Sequence, residues 1–483
     1  MKSWLKRPEL VVSGLLLAGL GLRSAWLMSQ SMWSDEALTL VVSQAGDLWG
    51  LMRGLESSPP LHFLLMRPWL KAFADPLLGM RLFSLACGSA CLWAFFKLAK
   101  EVVPEAAVSS LFIAVFSSYW VHASQDGRFY SLFLLLSILQ TSVLWRLREK
   151  DDLKLWLLYV ALASLGLYTH YFMLFLVLAG GAYTAASRLL CRRPIHLTLA
   201  SFAGIAVLYL PWLGFLSAQA RLREGATLVV ERLDLPQLAF ILGTMLCDLN
   251  FLGLVLIPWI KGLGCLVLGA LVLAGAVMAK DPGPAKGILS RWTEGRVFCL
   301  AHIVLGLALF PLVHALAGIP LVQPRYFVWL SPFVYMLLAV LVTGTDLSRA
   351  VARLALTLVL ITGLGGYLAS NRAFDPRLGA LSLQAKLSGP GLPVIHLHPY
   401  YYLPLRYYYM PEAEHRLIPS HRKDLLDLEN LPGYPGIQRL EDLGRTGRCL
   451  VVDPERRLSP SRVRPSTGRE LAGLLDKSGS KEP

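Results

Sequence analysis

Long apolar runs separated by short charged segments dominate this chain of 483 residues. Most runs are close to the roughly 20 residues that an α-helix needs to cross a bilayer. The first run follows a positively charged start with no small-residue cleavage site, so we expect it to be retained as a helix. The pattern predicts eleven membrane-spanning helices, near residues 9–28, 79–99, 106–122, 129–145, 155–170, 172–189, 196–217, 262–279, 297–317, 327–344 and 354–369.

Two long segments between these helices, residues 29–78 and 218–261, are apolar but too interrupted to span a membrane. Their apolar stretches are Ala37–Met52, Leu61–Phe73 and Leu235–Leu246. Stretches of this length beside membrane spans are typical of amphipathic helices that lie at the membrane surface. We therefore predict short interfacial helices in both segments.

The pattern changes after residue 369. Residues 370–454 alternate strand-like pieces, such as Leu392–His398 and Cys449–Asp453, with polar helical ones, which predicts a small α/β domain. Residues 455–483 are rich in Arg, Ser, Pro and Gly and are predicted to be a disordered basic tail. Residues 1–369 then form a separate transmembrane domain.

Composition excludes an ordinary soluble protein. Hydrophobic residues make up 55% of the chain, charged residues only 16%, and the mean hydropathy is +0.53, which leaves too little polar surface to coat a globule. The net charge of +14 would suggest a nucleic-acid partner in a soluble protein. Here the charges flank predicted membrane helices, so we expect no nucleic acid. The seven cysteines show no CxxC pair and indicate neither a disulfide framework nor a thiolate metal site.

The distribution of Lys and Arg predicts the orientation, because positive loops stay cytoplasmic. Alternate short segments carry eighteen Lys and Arg residues, whereas the segments on the opposite side carry nine. The eighteen lie in segments 2–7, 97–100, 146–154, 188–193, 280–296 and 349–353. We therefore predict a cytoplasmic N-terminus and, after eleven crossings, an extracytoplasmic C-terminal domain.

Charged residues at membrane depth are costly and tend to mark functional sites. Four segments of this chain carry such charges. Each could have a simpler role, since acidic residues stabilise helix starts and arginines anchor at interfaces. Their common location on the predicted outer face favours one shared site. The segments are Trp33–Ala37 with Asp35 and Glu36, Glu56–His62 with its two prolines, His122–Tyr130 with Asp126 and Arg128, and Pro324–Tyr326 with Arg325.

In order and spacing these motifs resemble the membrane glycosyltransferases of the GT-C fold. The resemblance is strongest to the bacterial branch of protein mannosyltransferase-like (glycosyltransferase family 39-like), aminoarabinose-transferase-like and dolichyl-phosphate-mannose-dependent enzymes, and it covers about residues 9–345. Many relatives have Glu and Ala where this chain has Asp126 and Gly127. The motifs are Trp33–Glu36, Glu56-x-x-Pro59-Pro60-Leu61, Ser124–Tyr130 and Arg325-Tyr326.

The resemblance implies transfer of a hexosyl or pentosyl group from a polyprenyl-phosphate carrier to an envelope lipid, glycan or protein. The reaction would take place on the extracytoplasmic face of the bacterial cytoplasmic (inner) membrane. In relatives the first-loop aspartate acts as the base, which makes Asp35 the candidate here, with Glu36 and Asp126 as further catalytic candidates. Arginines suit a departing phosphate because a guanidinium can hold two of its oxygens. The candidate substrate-binding residues are Glu56, Arg128, Tyr130, Arg325 and Tyr326.

Three further interpretations of the sequence stay open. Relatives of the aminoarabinose-transferase type hold a divalent metal ion through the Glu of the ExxPP motif, which implies Glu56 here together with one of His62, His122, His170 or His314. A transporter or lipid-linked sugar flippase is the main alternative function, although two similar halves and broken helices at mid-membrane are not evident. A sensor or scaffold that binds a partner through Tyr400–Tyr402 and Tyr407–Tyr409 would not explain the outer carboxylates.

Overall fold

The computed structural model describes residues 8–54, 58–223, 234–248, 257–280, 291–317, 323–343 and 346–374, and shorter pieces beyond. Those pieces are residues 394–396, 404–409, 411–412, 415–417, 448–452 and 463–467. The described helices are α1 (Pro8–Ser24), α2 (Ser34–Gln44), α3 (Leu48–Gly54), α4 (Leu61–Leu70), α5 (Pro76–Val102), α6 (Ala107–Phe116), α7 (Ser118–Gln125), α8 (Tyr130–Leu147), α9 (Leu153–Leu167), α10 (Met173–Leu190), α11 (His196–Arg223), α12 (Leu235–Leu246), α13 (Ile257–Lys280), α14 (Arg291–Ala317), α15 (Ser331–Val342) and α16 (Leu347–Phe374).

Every apolar run predicted as a spanning helix is helical over most of its length. Within the described ranges, six helices are long and apolar enough to cross a membrane, or seven if the bent pair α6 and α7 forms one span. The chain is therefore a multi-pass membrane protein, while the number of eleven crossings stays a prediction. The six are α5, α8, α10, α11 to Ser217, the segment Pro324–Val342 that ends in α15, and α16 to Leu368.

The predicted helix 106–122 is in fact two helices, α6 and α7, which meet at a bend of 56°. Ser117 lies between them in an extended conformation, and its hydroxyl accepts a hydrogen bond from the backbone N–H of Trp120. This is a serine N-cap, which starts a new helix in a new direction. The short helix α7 consequently places the motif His122–Tyr130, which begins within this helix, at one end of the bundle.

Short helices fill the two predicted outer segments. The predicted stretch Ala37–Met52 is divided into α2 and α3, because Asp47 accepts a hydrogen bond from Gly50 N and begins the second helix. Helices α4 and α12 lie where Leu61–Phe73 and Leu235–Leu246 are predicted. The buried faces of α2, α3 and α4 form an apolar cluster over the start of α5, together with Trp212 of α11.

A close contact between α5 and α7 places the predicted motifs next to each other. A Cβ atom added at Gly88 of α5 would lie 2.0 Å from the hydroxyl oxygen of Ser124 and 3.2 Å from its Cα. Only glycine permits this approach, as is common where membrane helices pack tightly. The end of α7 is thereby brought against the first half of α5.

The C-terminal part contains four described strands: β1 (Val394–His396), β2 (His415–Leu417), β3 (Arg448–Val452) and β4 (Val463–Thr467). They form one sheet in the order β2-β1-β3-β4, in which β1 runs parallel to both neighbours and β4 is antiparallel to β3. Strands β1 and β3 coincide with the two predicted strand-like pieces. The connecting segments lie outside the described residues, so the helical half of the α/β domain and its boundaries stay predictions.

Strand β4 lies within residues 455–483, the segment predicted to be a disordered basic tail. Its five residues pair along their whole length with β3, from Val463 opposite Val452 to Thr467 opposite Arg448. Backbone pairing compensates for a composition that would not form a strand alone. The predicted tail therefore contributes at least these residues to the sheet.

Orientation is open to a direct test that follows from the charge asymmetry. A reporter enzyme that is active only after export, fused after Pro393, is expected to be active, and a cytoplasm-specific reporter at the same position is expected to be silent. A fusion in the positively charged segment 146–154 is the control and should give the opposite pattern. Activity of only the cytoplasmic reporter after Pro393 would show that the predicted orientation is wrong.

Candidate active site

Asp35 and Arg325 form an ion pair at the predicted outer end of the bundle. Asp35 lies in the first turn of α2, and Arg325 lies in the short helical turn Pro324–Leu330 that precedes α15. The distance from Arg325 Nη1 to Asp35 Oδ2 is 3.3 Å. Both side chains keep about a third of their surface exposed, 33% for Arg325 and 28% for Asp35. Residues 290 positions apart thus form an accessible pair of opposite charges.

Three aromatic rings surround the guanidinium of Arg325. Its Cζ atom lies 5.2 Å from the ring centroid of Trp33, 5.8 Å from that of Tyr130 and 5.6 Å from that of Tyr326. At these distances the ring faces attract the cation. The rings therefore hold the positive charge in place and leave the N–H groups of the guanidinium available for hydrogen bonds.

Hydrogen bonds hold together the aromatic cage that Trp33, Tyr130 and Tyr326 form around Arg325. The indole N–H of Trp33 donates a hydrogen bond to Asp126 Oδ1 at 3.1 Å, and the hydroxyl of Tyr119 donates to the carbonyl of Pro324 at 2.6 Å. The first contact joins the start of α2 to the end of α7. The second joins α7 to the turn that carries Arg325. All the predicted motifs except the undescribed Glu56 are thus brought to one place.

Glu36, the neighbour of Asp35, points into the protein and is 1% exposed. Its carboxylate is held by Arg81 of α5, whose Nε donates to Oε1 at 2.9 Å and whose Nη2 donates to Oε2 at 2.8 Å. Glu36 also accepts a hydrogen bond from the backbone N–H of Gly127 at 2.8 Å. Buried in this way, Glu36 is placed to hold the site together rather than to meet a substrate.

Arg81 is the functional residue that the sequence analysis missed. Besides Glu36, it donates hydrogen bonds to three backbone carbonyls of the loop before α2. All five N–H groups of the guanidinium are therefore used. A lone arginine within an apolar run gives no sign of such a role, because only the fold shows which loop it faces. The carbonyls belong to Leu27, Gln30 and Ser31.

Replacing Glu36 with glutamine is expected to destabilise the protein by about 1.5–3 kcal/mol, because the amide breaks a buried, charge-assisted pair with Arg81. Thermal unfolding of the purified protein in detergent measures this change. Glu101→Gln is a matched control, since Glu101 pairs with Arg146 at a more exposed position. If both variants unfold like the wild type, the Glu36–Arg81 pair does not support the fold.

Asp126 lies at the end of α7, close both to the aromatic rings around Arg325 and to the buried Glu36. It is 7% exposed and contacts Trp33 as described above. Burial, together with the negative charge of Glu36, raises the pKa of Asp126 to about 6. The residue therefore becomes a carboxylate, the stronger acceptor for the Trp33 N–H group, only above mildly acidic pH.

This shift predicts a pH dependence. For the transfer reaction that the resemblance implies, we expect kcat/KM to fall as pH drops through about 6, because protonation of Asp126 weakens its hold on Trp33 and on the cage around Arg325. Asp126→Asn has no proton to gain and should lose this acidic limb. A pH profile of both proteins measures the effect. An unchanged limb in Asp126→Asn would assign it to another group.

Arg128 lies behind the exposed pair and is 5% exposed. Its Nη1 donates to the backbone carbonyl of Asp35 at 3.2 Å and to the hydroxyl of Thr39 at 2.8 Å, and its guanidinium lies over the ring of Phe129. The predicted substrate-binding residue Arg128 therefore supports the first turn of α2. Tyr130 is likewise buried, at 4% exposure, with only its ring toward Arg325.

The histidines bear on whether a metal ion could be held. Glu56, the implied metal ligand, lies outside the described residues, and so does the side chain of His314. Burial and the charge of Arg128 lower the pKa of His62 to about 3, so His62 is neutral, as a ligand must be. In the described ranges no three His, Cys, Asp or Glu side chains come together as a metal site. The metal ion stays a prediction.

His62 and His170 differ in their surroundings. Nδ1 of His170 accepts a hydrogen bond from the backbone of Phe172, which leaves Nε2 as the protonated nitrogen. Neither ring nitrogen of His62 has a hydrogen-bond partner among the described residues. His62 also lies three residues after Pro59, the first of the two prolines, so its chemistry fits a neutral nitrogen ligand better than that of His170.

His122 forms a second pair that the sequence analysis did not predict. Its Nδ1 lies 2.8 Å from Oδ2 of Asp248, the second residue after the end of α12. The His122 side chain is 27% exposed, whereas that of Asp248 is 3% exposed. In the sequence, Asp248 is a single carboxylate after an apolar stretch, and this pattern does not indicate which residue it contacts.

The fold is that of a polytopic membrane protein of the GT-C fold, as the resemblance implied. Two solved structures of ArnT from Cupriavidus metallidurans are similar to it. The form bound to undecaprenyl phosphate has 13% sequence identity and a TM-score of 0.55, covering 93% of each chain. The apo form has 14% identity and a TM-score of 0.53, covering 96% of each chain.

The sequence comparison points in the same direction. Residues 57–214 match the family described as dolichyl-phosphate-mannose-protein mannosyltransferase. The matched region includes Asp126, Arg128 and Tyr130. No curated protein sequence matches the chain.

Proposed function

We propose that this protein is a glycosyltransferase that moves a sugar from a polyprenyl-phosphate-linked donor to an envelope acceptor on the extracytoplasmic face of the cytoplasmic membrane. The observation that carries this proposal is the accessible pair of Asp35 and Arg325, 3.3 Å apart, with three aromatic rings around the cation. The fold supports it, since one of the similar ArnT structures is bound to undecaprenyl phosphate. The match to a mannosyltransferase family supports it independently.

Asp35 is suited to act as the general base. The acceptor hydroxyl forms a bond to the anomeric carbon of the sugar, and its proton passes to the Asp35 carboxylate. The bond between that carbon and the phosphate oxygen breaks, and its electron pair leaves with the lipid phosphate. Asp35 is the one carboxylate of the three candidates that is substantially exposed, since Glu36 and Asp126 are buried.

Arg325 is suited to hold the donor phosphate, on which negative charge increases as the sugar leaves. Before the donor binds, Arg325 and Asp35 neutralise each other. A phosphate that binds Arg325 competes with Asp35 for the guanidinium, and this competition frees the carboxylate to accept a proton. The ion pair thus couples donor binding to activation of the base.

The remaining candidates support these two residues. Arg128 and Thr39 fix the start of α2, Glu36 and Arg81 fix the loop before it, and Asp126 orients Trp33. Tyr130 and Tyr326 line the cation. Within the proposal, residues 1–369 form the catalytic domain, and the extracytoplasmic domain from residue 370 lies on the acceptor side.

The test is transfer by the purified protein in detergent or nanodiscs, with radiolabelled hexosyl and pentosyl polyprenyl phosphates as donors and extracted envelope lipids, glycans and proteins as acceptors. We expect label to move from the carrier to one acceptor fraction, and Asp35→Asn to abolish that movement. A parallel arm with a chelator tests the predicted metal ion. Movement of intact lipid-linked sugar across vesicles, with no transfer, would favour a flippase instead.

A further inference from the structure

The consecutive tyrosines Tyr407–Tyr409 form a contact with the loop that leads into the candidate active site. They belong to a single helical turn, Leu405–Tyr409, which we call the tyrosine turn. Leu405 anchors the turn at 1% exposure. The three rings pack against the apolar cluster built by α2, α3 and α4.

Two hydroxyl groups of the turn make specific hydrogen bonds. The Tyr409 hydroxyl accepts the backbone N–H of Met32 at 3.0 Å, and the Tyr408 hydroxyl donates to the carboxylate of Asp75 at 3.0 and 3.1 Å. The rings of Tyr408 and Tyr409 meet edge to face, with centroids 4.8 Å apart. The two contacts are thus made by one rigid unit.

Both partners belong to the structure that positions Asp35. Met32 is fully buried and lies three residues before Asp35, next to the carbonyls that Arg81 holds. Asp75 is the N-cap of α5, where it accepts the backbone N–H groups of the first turn. Arg81 lies on the same helix, six residues after Asp75. The tyrosine turn therefore contacts both the loop before α2, residues 25–33, which we call the catalytic loop, and helix α5, which holds that loop through Arg81.

We propose that the tyrosine turn is an intramolecular clamp, in which Tyr409 and Tyr408 position the catalytic loop from the extracytoplasmic part of the chain. Arg81 donates hydrogen bonds to carbonyls of this loop, and the Tyr409 hydroxyl accepts one from the N–H group of Met32. Without Tyr409 that buried N–H group loses its partner, which favours other conformations of the loop. The two tyrosines are positioning residues, and their effect on the reaction rests on the proposed function of Asp35.

Tyr409→Phe keeps the ring and removes the hydroxyl, and Tyr407→Phe is the matched control. The hydroxyl of Tyr407 forms a hydrogen bond with Arg406 of the same turn. Hydrogen–deuterium exchange of a peptide that spans residues 27–36 measures the clamp directly in the full-length protein. We expect faster exchange in Tyr409→Phe than in the wild type and no change in Tyr407→Phe.

Kinetics provide the second measurement. We expect kcat to fall about 3–10-fold in Tyr409→Phe, with the KM for the polyprenyl-phosphate sugar unchanged, because the contact concerns Asp35 and leaves Arg325 in place. Exchange equal to that of Tyr407→Phe would overturn the clamp, and so would faster exchange without loss of kcat. A wild-type protein inactive with every donor would instead overturn the proposed function, while the exchange result still decides whether the clamp exists.

Discussion

Asp35→Asn is expected to lower kcat for sugar transfer by about 10²–10⁴-fold, the usual contribution of a general base. The amide has nearly the same shape as the carboxylate, and its oxygen can still accept a hydrogen bond from Arg325. It cannot take the proton of the acceptor hydroxyl. The variant should therefore bind the donor and remain folded while the chemical step almost stops.

The measurement is single-turnover transfer by purified protein, together with donor affinity and thermal unfolding. Asp47→Asn is the matched control, because it removes one exposed carboxylate from the same outer segment, and asparagine caps α3 as well as aspartate does. We expect the control to transfer sugar at the wild-type rate. Near-normal turnover of Asp35→Asn would contradict the role of base and leave this residue as the ion-pair partner of Arg325 alone.

Much of the helical framework could be predicted from the sequence, because runs of apolar residues leave few alternatives in a membrane. The same argument identified Asp35 and Arg325, since charged residues beside such runs are expensive unless they have a role. Placing both on one outer face required only counting helices and positive charges. The prediction that they share a site thus rests on local patterns and orientation.

The partners of individual charged residues could not be predicted in this way. The sequence does not show which of the adjacent Asp35 and Glu36 is buried, and only the position of Arg81 shows that it is Glu36. The break at Ser117 was missed for a similar reason. A serine within an apolar run is compatible with a continuous helix, and only packing decides whether its hydroxyl caps a new one.

The same limit applies to the two arginines, which the sequence leaves unranked. Arg128 is 5% exposed and bonds to the backbone of α2, whereas 33% of the Arg325 side chain is exposed. A donor phosphate at headgroup depth can meet a group that is exposed at the outer end of the bundle. Burial and existing hydrogen bonds therefore favour Arg325 as the phosphate-binding residue.

Arg325→Ala is accordingly expected to lower kcat by about 10²–10³-fold and to weaken donor affinity, because the variant lacks the positive charge that stabilises the departing phosphate. Arg325→Lys keeps the charge but not the paired donors, so its loss should be smaller but measurable. Binding of a labelled polyprenyl-phosphate sugar and single-turnover transfer measure the two effects separately.

Arg67→Ala and Arg67→Lys are matched controls, since Arg67 is an outer arginine of α4 that bonds only to the carbonyl of Ala45 among the contacts described for it. These variants should bind donor as the wild type does. If Arg325→Ala also kept its donor affinity and turnover, Arg325 would be an interfacial anchor. The phosphate site would then move to Arg128 or to a metal ion held by Glu56, and transfer by the wild type should be sensitive to a chelator only in the second case.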